Sequence, residues 1–173
     1  MINDNEMARE QYREAVWNSL LQYESLQRYY RYVSEKFSRQ GKYLTVAVLT
    51  SASGSALVLL AGWPVFGKVV AVVVAALSIW LALTDYSNLA TISVSLAVEL
   101  GHASREMYAL WMKVDDLSDE DVEEQWAEID KRATDITRWV PNGLLGFEEI
   151  QDKAEHEAYA YWSQGAGAPT VQS

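Results

Sequence analysis

Residues 43–63 read YLTVAVLTSASGSALVLLAGW and residues 69–84 read VVAVVVAALSIWLALT, with no charged side chain in either run. The first run, Tyr43 to Trp63, has 21 residues, about 31 Å as a helix, which matches a hydrocarbon core of about 30 Å. The second has 16 residues, about 24 Å, and needs flanking residues from either side to cross. Between them lie Gly62, Pro64 and Gly67, which interrupt a helix, and Lys68, the one charge. Two antiparallel spans joined by a tight turn follow. The competing reading is a buried helical hairpin in a soluble bundle. A soluble helix, however, shows polar residues every third or fourth position, and these runs have no charged face.

The flanks set the orientation. Arg28, Arg31, Lys36, Arg39 and Lys42 precede the first span and only Lys68 lies in the turn, so the positive-inside rule places the N-terminus, and after two spans the C-terminus, in the cytoplasm. Tyr43 and Trp63 at the ends of the first span, and Trp80 and Tyr86 near the inner end of the second, suit interfacial aromatic belts. No signal-peptide pattern precedes residue 43, so the first span is expected to direct its own insertion. The expected localisation is the bacterial inner membrane. The expected organisation is an amphipathic cytoplasmic helix over 1–42, a transmembrane hairpin over 43–86 (spans 43–63 and 67–86), cytoplasmic helices over 87–162, and a flexible tail over 163–173.

The whole-chain composition hides this partition. In 173 residues there are 24 acidic and 14 basic side chains, a net charge of −10, and no cysteine. Disulfide scaffolds, Cys-ligated metal centres and thiol chemistry are excluded. The acidity argues against nucleic acid as a partner. Seven bases and six acids lie in residues 1–42, only Lys68, Asp85 and Glu99 in 43–100, and sixteen acids against six bases beyond residue 100. The whole net charge thus resides in the last segment.

Within the spans, Thr45, Thr50, Ser51, Ser53, Gly54 and Ser55 concentrate small and hydroxyl residues near the midpoint of the first, and Ala71, Ala75, Ser78 and Ala82 make a small stripe on the second. Two uses remain open for Thr50, Ser51, Gly54, Ser55, Ala71, Ala75 and Ser78: close helix packing, or the lining of a pore assembled from several chains. Asp85 sits at the inner end of the second span, where headgroups or a water-filled vestibule would receive its charge.

The arms read as helices built for packing. Val16, Leu20, Tyr23, Leu26, Tyr30, Val33 and Phe37 recur at three- and four-residue spacing, giving one amphipathic helix from about residue 5 to the membrane. Its tyrosines, Tyr23, Tyr29, Tyr30 and Tyr32, read as core or interface before they read as a ligand platform. Beyond the second span a helix is expected to continue through Tyr86 to about Met112, with Leu89, Ile92, Leu96, Leu100 and Ala103 on one face. Ser118, followed by Asp119, Glu120 and Asp121, is an N-cap signal. Val122, Trp126, Ile129, Ala133, Ile136 and Val140 then form a coiled-coil-like seam until Pro141, with Trp126, Ile129 and Ile136 the candidate oligomer interface. A last helix over about 147–162 is expected to bury Phe147, Ile150, Ala154, Ala158 and Tyr161. The fold class is therefore an all-α membrane protein, a two-helix transmembrane hairpin with a cytoplasmic helical bundle, and homo-oligomeric.

Enzymatic chemistry finds no constellation. His102 and His156 have no ligand spacing, the acidic run from Asp115 to Glu124 lacks the glycine and bidentate glutamate of a calcium loop, and Gly143-Leu-Leu-Gly146 lacks the length and the Lys-Ser/Thr of a phosphate loop. No catalytic residue, cofactor or metal is expected.

The stretch Arg28-Tyr-Tyr-Arg-Tyr-Val-Ser-Glu-Lys-Phe-Ser-Arg-Gln-Gly-Lys-Tyr-Leu-Thr, the Ser/Gly-containing first span, the Asp85-Tyr86 exit of the second and the continuing Leu96-Ala-Val-Glu-Leu100 together resemble the SLATT domain, over about residues 10–160. The resemblance implies a bacterial two-transmembrane effector of anti-phage defence. Such an effector assembles a pore in the inner membrane when a partner protein or a nucleotide signal triggers it. A membrane-anchored scaffold that recruits a cytoplasmic partner complex is the alternative.

Overall fold

In the computed structural model the backbone is described over residues 4–60 and 64–165, and the side chains over 9–52 and 65–163. Among the described residues the helices are α1 (Asp4–Leu60), α2 (Pro64–Thr84), α3 (Tyr86–Trp111), α4 (Asp119–Thr137) and α5 (Glu148–Gly165), with a 3-10 turn at Asn142–Leu144. The chain is all-α, and no strand occurs among the described residues. Its contacts divide it into two units, one made by residues 1–33 with 93–173 and one by residues 34–92.

The first unit has a core, and its side-chain pairs define the helix directions. Along α1 and α4, Tyr12 donates to Glu123 at 3.4 Å, Ser19 accepts from the Trp126 indole at 3.1 Å, and Tyr23 donates to Asp130 at 2.5 Å. Both numbers rise together, so α1 and α4 are parallel. Along α3 the order reverses: Trp17 meets Trp111, Glu24 accepts from Ser104, and Gln27 lies against Gly101. It reverses along α5 as well, where Trp17 meets Trp162 and Arg28 and Tyr32 meet Glu157. The unit is an up-down-up-down four-helix bundle in which α1 touches all three other helices. Val16, Leu20 and Val33 of α1, Leu100 and Met107 of α3, Val122 and Ala133 of α4, and Ala154 and Ala158 of α5 fill its interior. Gly101 lies close to α1: a Cβ there would come within 2.8 Å of the amide at the movable end of Gln27.

In the second unit, α1 continues without a break through residues 34–60, and α2 brings the chain back to the level of Gly41. A Cβ on Gly41 would lie 3.2 Å from the Cβ of Tyr86. The rings of Phe37 and Tyr86 are 6.0 Å apart. Pro64 is the first residue of α2, a position whose missing N–H costs nothing. Val65 and Phe66, expected in the turn between the spans, are therefore helical; Gly62 and Trp63 lie outside the described residues.

Four local expectations need correction. The helix after the second span does not run through Tyr86: Asp85, with φ 43°, ends α2 and its carboxylate accepts from the Asn88 N–H at 3.3 Å, so Asp85 starts α3 instead. An aspartate tolerates this left-handed geometry because its short side chain bonds to the backbone just ahead. The Ser118 helix stops at Thr137, three residues before Val140, where the Arg138 N–H donates to Thr134 O. Tyr161 is exposed, with Arg28 over its ring at 5.3 Å, because the inward stripe of α5 runs through the buried Ala154 and Ala158 to the half-buried Trp162 at a spacing of four. Phe147 and Ile150 are half-buried.

Candidate functional site

Two regions invite a functional reading: the apolar helix surface in residues 34–92 and a groove in the bundle.

Among the described residues, one helical stretch, Val65–Trp111, is long and apolar enough to cross a membrane, and only 6% of its most apolar window is buried. On α2 eight large apolar side chains are more than half exposed, from Val65 and Phe66 to Trp80 and Leu83. In water each would forgo half or more of the roughly 1.5–3 kcal/mol that full burial contributes. The stripe residues Ala71 and Ala75 are exposed as well, and Ser78 is half-buried. Tyr43, Val46 and Leu49 of α1 are exposed too. The hydroxyls are held by their own helix: Thr45 donates to Gly41 O, Thr50 to Val46 O and Ser78 to Val74 O, each at 2.8 Å. Ser51 is half-buried, and the surroundings of Gly54 and Ser55 lie outside the described residues. Asp85 is exposed and caps α3.

The seam of α4 is occupied within the chain. Ile129 is buried in the bundle, and Trp126 and Ile136 are half-buried, with the Trp126 indole bonded to Ser19. The acidic run is engaged in the same way. Arg13 pairs with Asp115 at 2.8 Å, Arg9 lies 3.9 Å from Asp119, and Asp121 N–H donates to the Ser118 hydroxyl at 3.2 Å. His102 and His156 are exposed, and His102 lies 3.2 Å from Arg105.

Of the tyrosines expected as core or interface, Tyr23, Tyr29 and Tyr30 are buried and Tyr32 is half-buried, and their phenols are harder to ionise than usual. Burial first, then the hydrogen bond to Asp130, pushes Tyr23 far up. Burial raises Tyr29, whose hydroxyl donates to Leu144 O at 2.8 Å, and Tyr30. The hydrogen bond to Glu157 raises Tyr32. A polar chain runs through this wall: Glu24 accepts from Arg28 at 2.8 Å and from Ser104 at 3.0 Å, and Arg28 reaches Glu157 at 3.7 Å.

Sequence reasoning missed the groove beside that wall. It has a volume of about 520 Å³ and lies between α1 and α5, closed by the turn at Leu145 and Gly146. Leu26, Tyr29 and Tyr30 line one side and Glu155, Ala158 and Tyr159 the other. No sequence signal could have found it, because it exists only where α5 folds back antiparallel on α1.

Searches against protein-family models, curated proteins and solved structures find no match to this chain.

Proposed function

We propose that the chain is a two-span protein of the bacterial inner membrane, with both arms cytoplasmic, which oligomerises and permeabilises the bilayer when a partner protein or signal triggers it. The observation that carries this reading is the exposed apolar surface of α2, which water does not tolerate and lipid does. A hairpin is supported by the return of Tyr86 to Gly41, and the cytoplasmic placement of the arms by the basic residues preceding Tyr43. The uncovered small stripe, Ala71, Ala75 and Ala82, suits close approach by a second copy. The likeness to SLATT effectors points the same way and supplies the defence context.

A second reading, a membrane anchor for a cytoplasmic bundle, draws on the hydroxyls bonded to their own carbonyls, which suit dry helix packing. One experiment separates the two. Vesicles containing the purified oligomer should release an entrapped ion-sensitive dye once the triggering partner or signal is supplied, and replacing residues 43–84 by an unrelated two-span hairpin should abolish release. Vesicles with the natural spans that stay tight under every partner or signal supplied would leave only the anchor.

A further inference from the structure

The groove between α1 and α5 has a size in the range of small-molecule sites, about 300–1,000 Å³, and a mostly apolar wall with a few polar groups. Its charge is one-sided. Glu155 supplies a carboxylate to the lining, and none of the lining residues is Lys or Arg. Two neighbouring cations are engaged outside the lining: Arg28 pairs with Glu24 and Glu157, and Lys153 lies 3.8 Å from Glu157 and 4.2 Å from the Tyr32 ring centre. The first turns of α5 add Glu148, Glu149 and Asp152, all exposed. An anionic ligand such as a nucleotide would meet this field without a partner. The Glu155 carboxylate is oriented by the Gln151 amide, which donates to it at 2.9 Å. Three phenol rings, Tyr29, Tyr30 and Tyr159, line the same space. Aromatic rings beside a carboxylate are the chemistry that recognises an organic ammonium group, because the ring faces and the carboxylate both attract a weakly hydrated cation.

We propose that this groove binds an organic ammonium cation carrying an apolar body, with Glu155 opposing the charge and the tyrosines and Leu26 receiving the body. The proposal lies in the bundle and does not depend on the membrane reading. Isothermal titration of the full chain in an uncharged detergent with benzyltrimethylammonium should show one saturable site per chain, and phenylphosphate should show none. Glu155→Gln and Tyr159→Ala alter exposed side chains and should leave the circular dichroism spectrum unchanged. Each should weaken binding about threefold, and the two together about tenfold. Glu120→Gln, on α4 and outside the groove lining, should bind as the natural chain does. Absence of saturable binding, binding indifferent to both groove substitutions, or preference for phenylphosphate would each overturn the proposal. None of those results bears on vesicle leakage, so the two readings fail separately.

Discussion

At the scale of single residues, the bundle is held by polar groups placed against α1. Tyr23 is 5% exposed and donates to Asp130 across the parallel pair of helices. Its phenol ionises well above the ordinary value of 10.0 because burial and the neighbouring carboxylate both oppose a phenolate. In the unfolded chain the same group titrates near that ordinary value. Stability from Tyr23 is therefore fully present below about pH 10 and declines as the pH rises further, where the unfolded state loses its proton first. Tyr23→Phe should cost about 1–2 kcal/mol at pH 7, through the lost bond and an Asp130 left without its partner. It should also flatten the fall in stability between neutral and alkaline solution, as read by denaturant melts at several pH values. A melt whose alkaline slope is unchanged in the variant would assign the slope to other groups.

At the scale of elements, helix starts were legible and helix ends less so. Ser118 accepts from Asp121 N–H, as its place before three acids predicts, because an N-cap is a local transaction between a side chain and the next turn. Ser118→Ala should lower stability by about 1 kcal/mol, measured by thermal or urea unfolding. Asp85 shows the limit of this kind of reading. The run from Val69 to Leu100 has no proline or glycine to announce a break, yet the chain turns at Asp85 with a positive φ and restarts as α3. The end of α4 at Thr137 and the shift of the α5 stripe from Tyr161 to Trp162 have the same origin. Neighbouring helices choose which residues face inward, and periodicity alone leaves that phase uncertain by one position.

At the scale of the molecule, the burial pattern separates a unit with a packed interior from residues 34–92, where α2 buries little. Since Val16, Leu20, Val33, Leu100, Met107 and Val122 all belong to the first unit, that unit should fold without the second. A chain in which residues 34–92 are replaced by a flexible Gly/Ser linker of about 15 residues, with a reach of about 20 Å, is expected to unfold cooperatively on heating. A broad, non-cooperative transition would show that the bundle depends on the helices it lacks. The composition carried this division in advance, with a charge-poor middle between a balanced arm and an acidic one. The bundle gives part of that acidity a structural use: Asp115, Glu123, Asp130 and Glu157 each face a partner on α1.

Helix content, the apolar runs and the amphipathic faces were readable from the chain because each follows from local spacing and transfer of side chains out of water. The parallel pairing of α1 with α4, the burial of Ile129 inside its own chain, the capping role of Asp85 and the acidic, tyrosine-lined groove were settled by packing. They depend on which faces meet after the chain folds back, and residues more than a hundred positions apart, such as Tyr23 and Asp130, leave no mark on each other's local sequence.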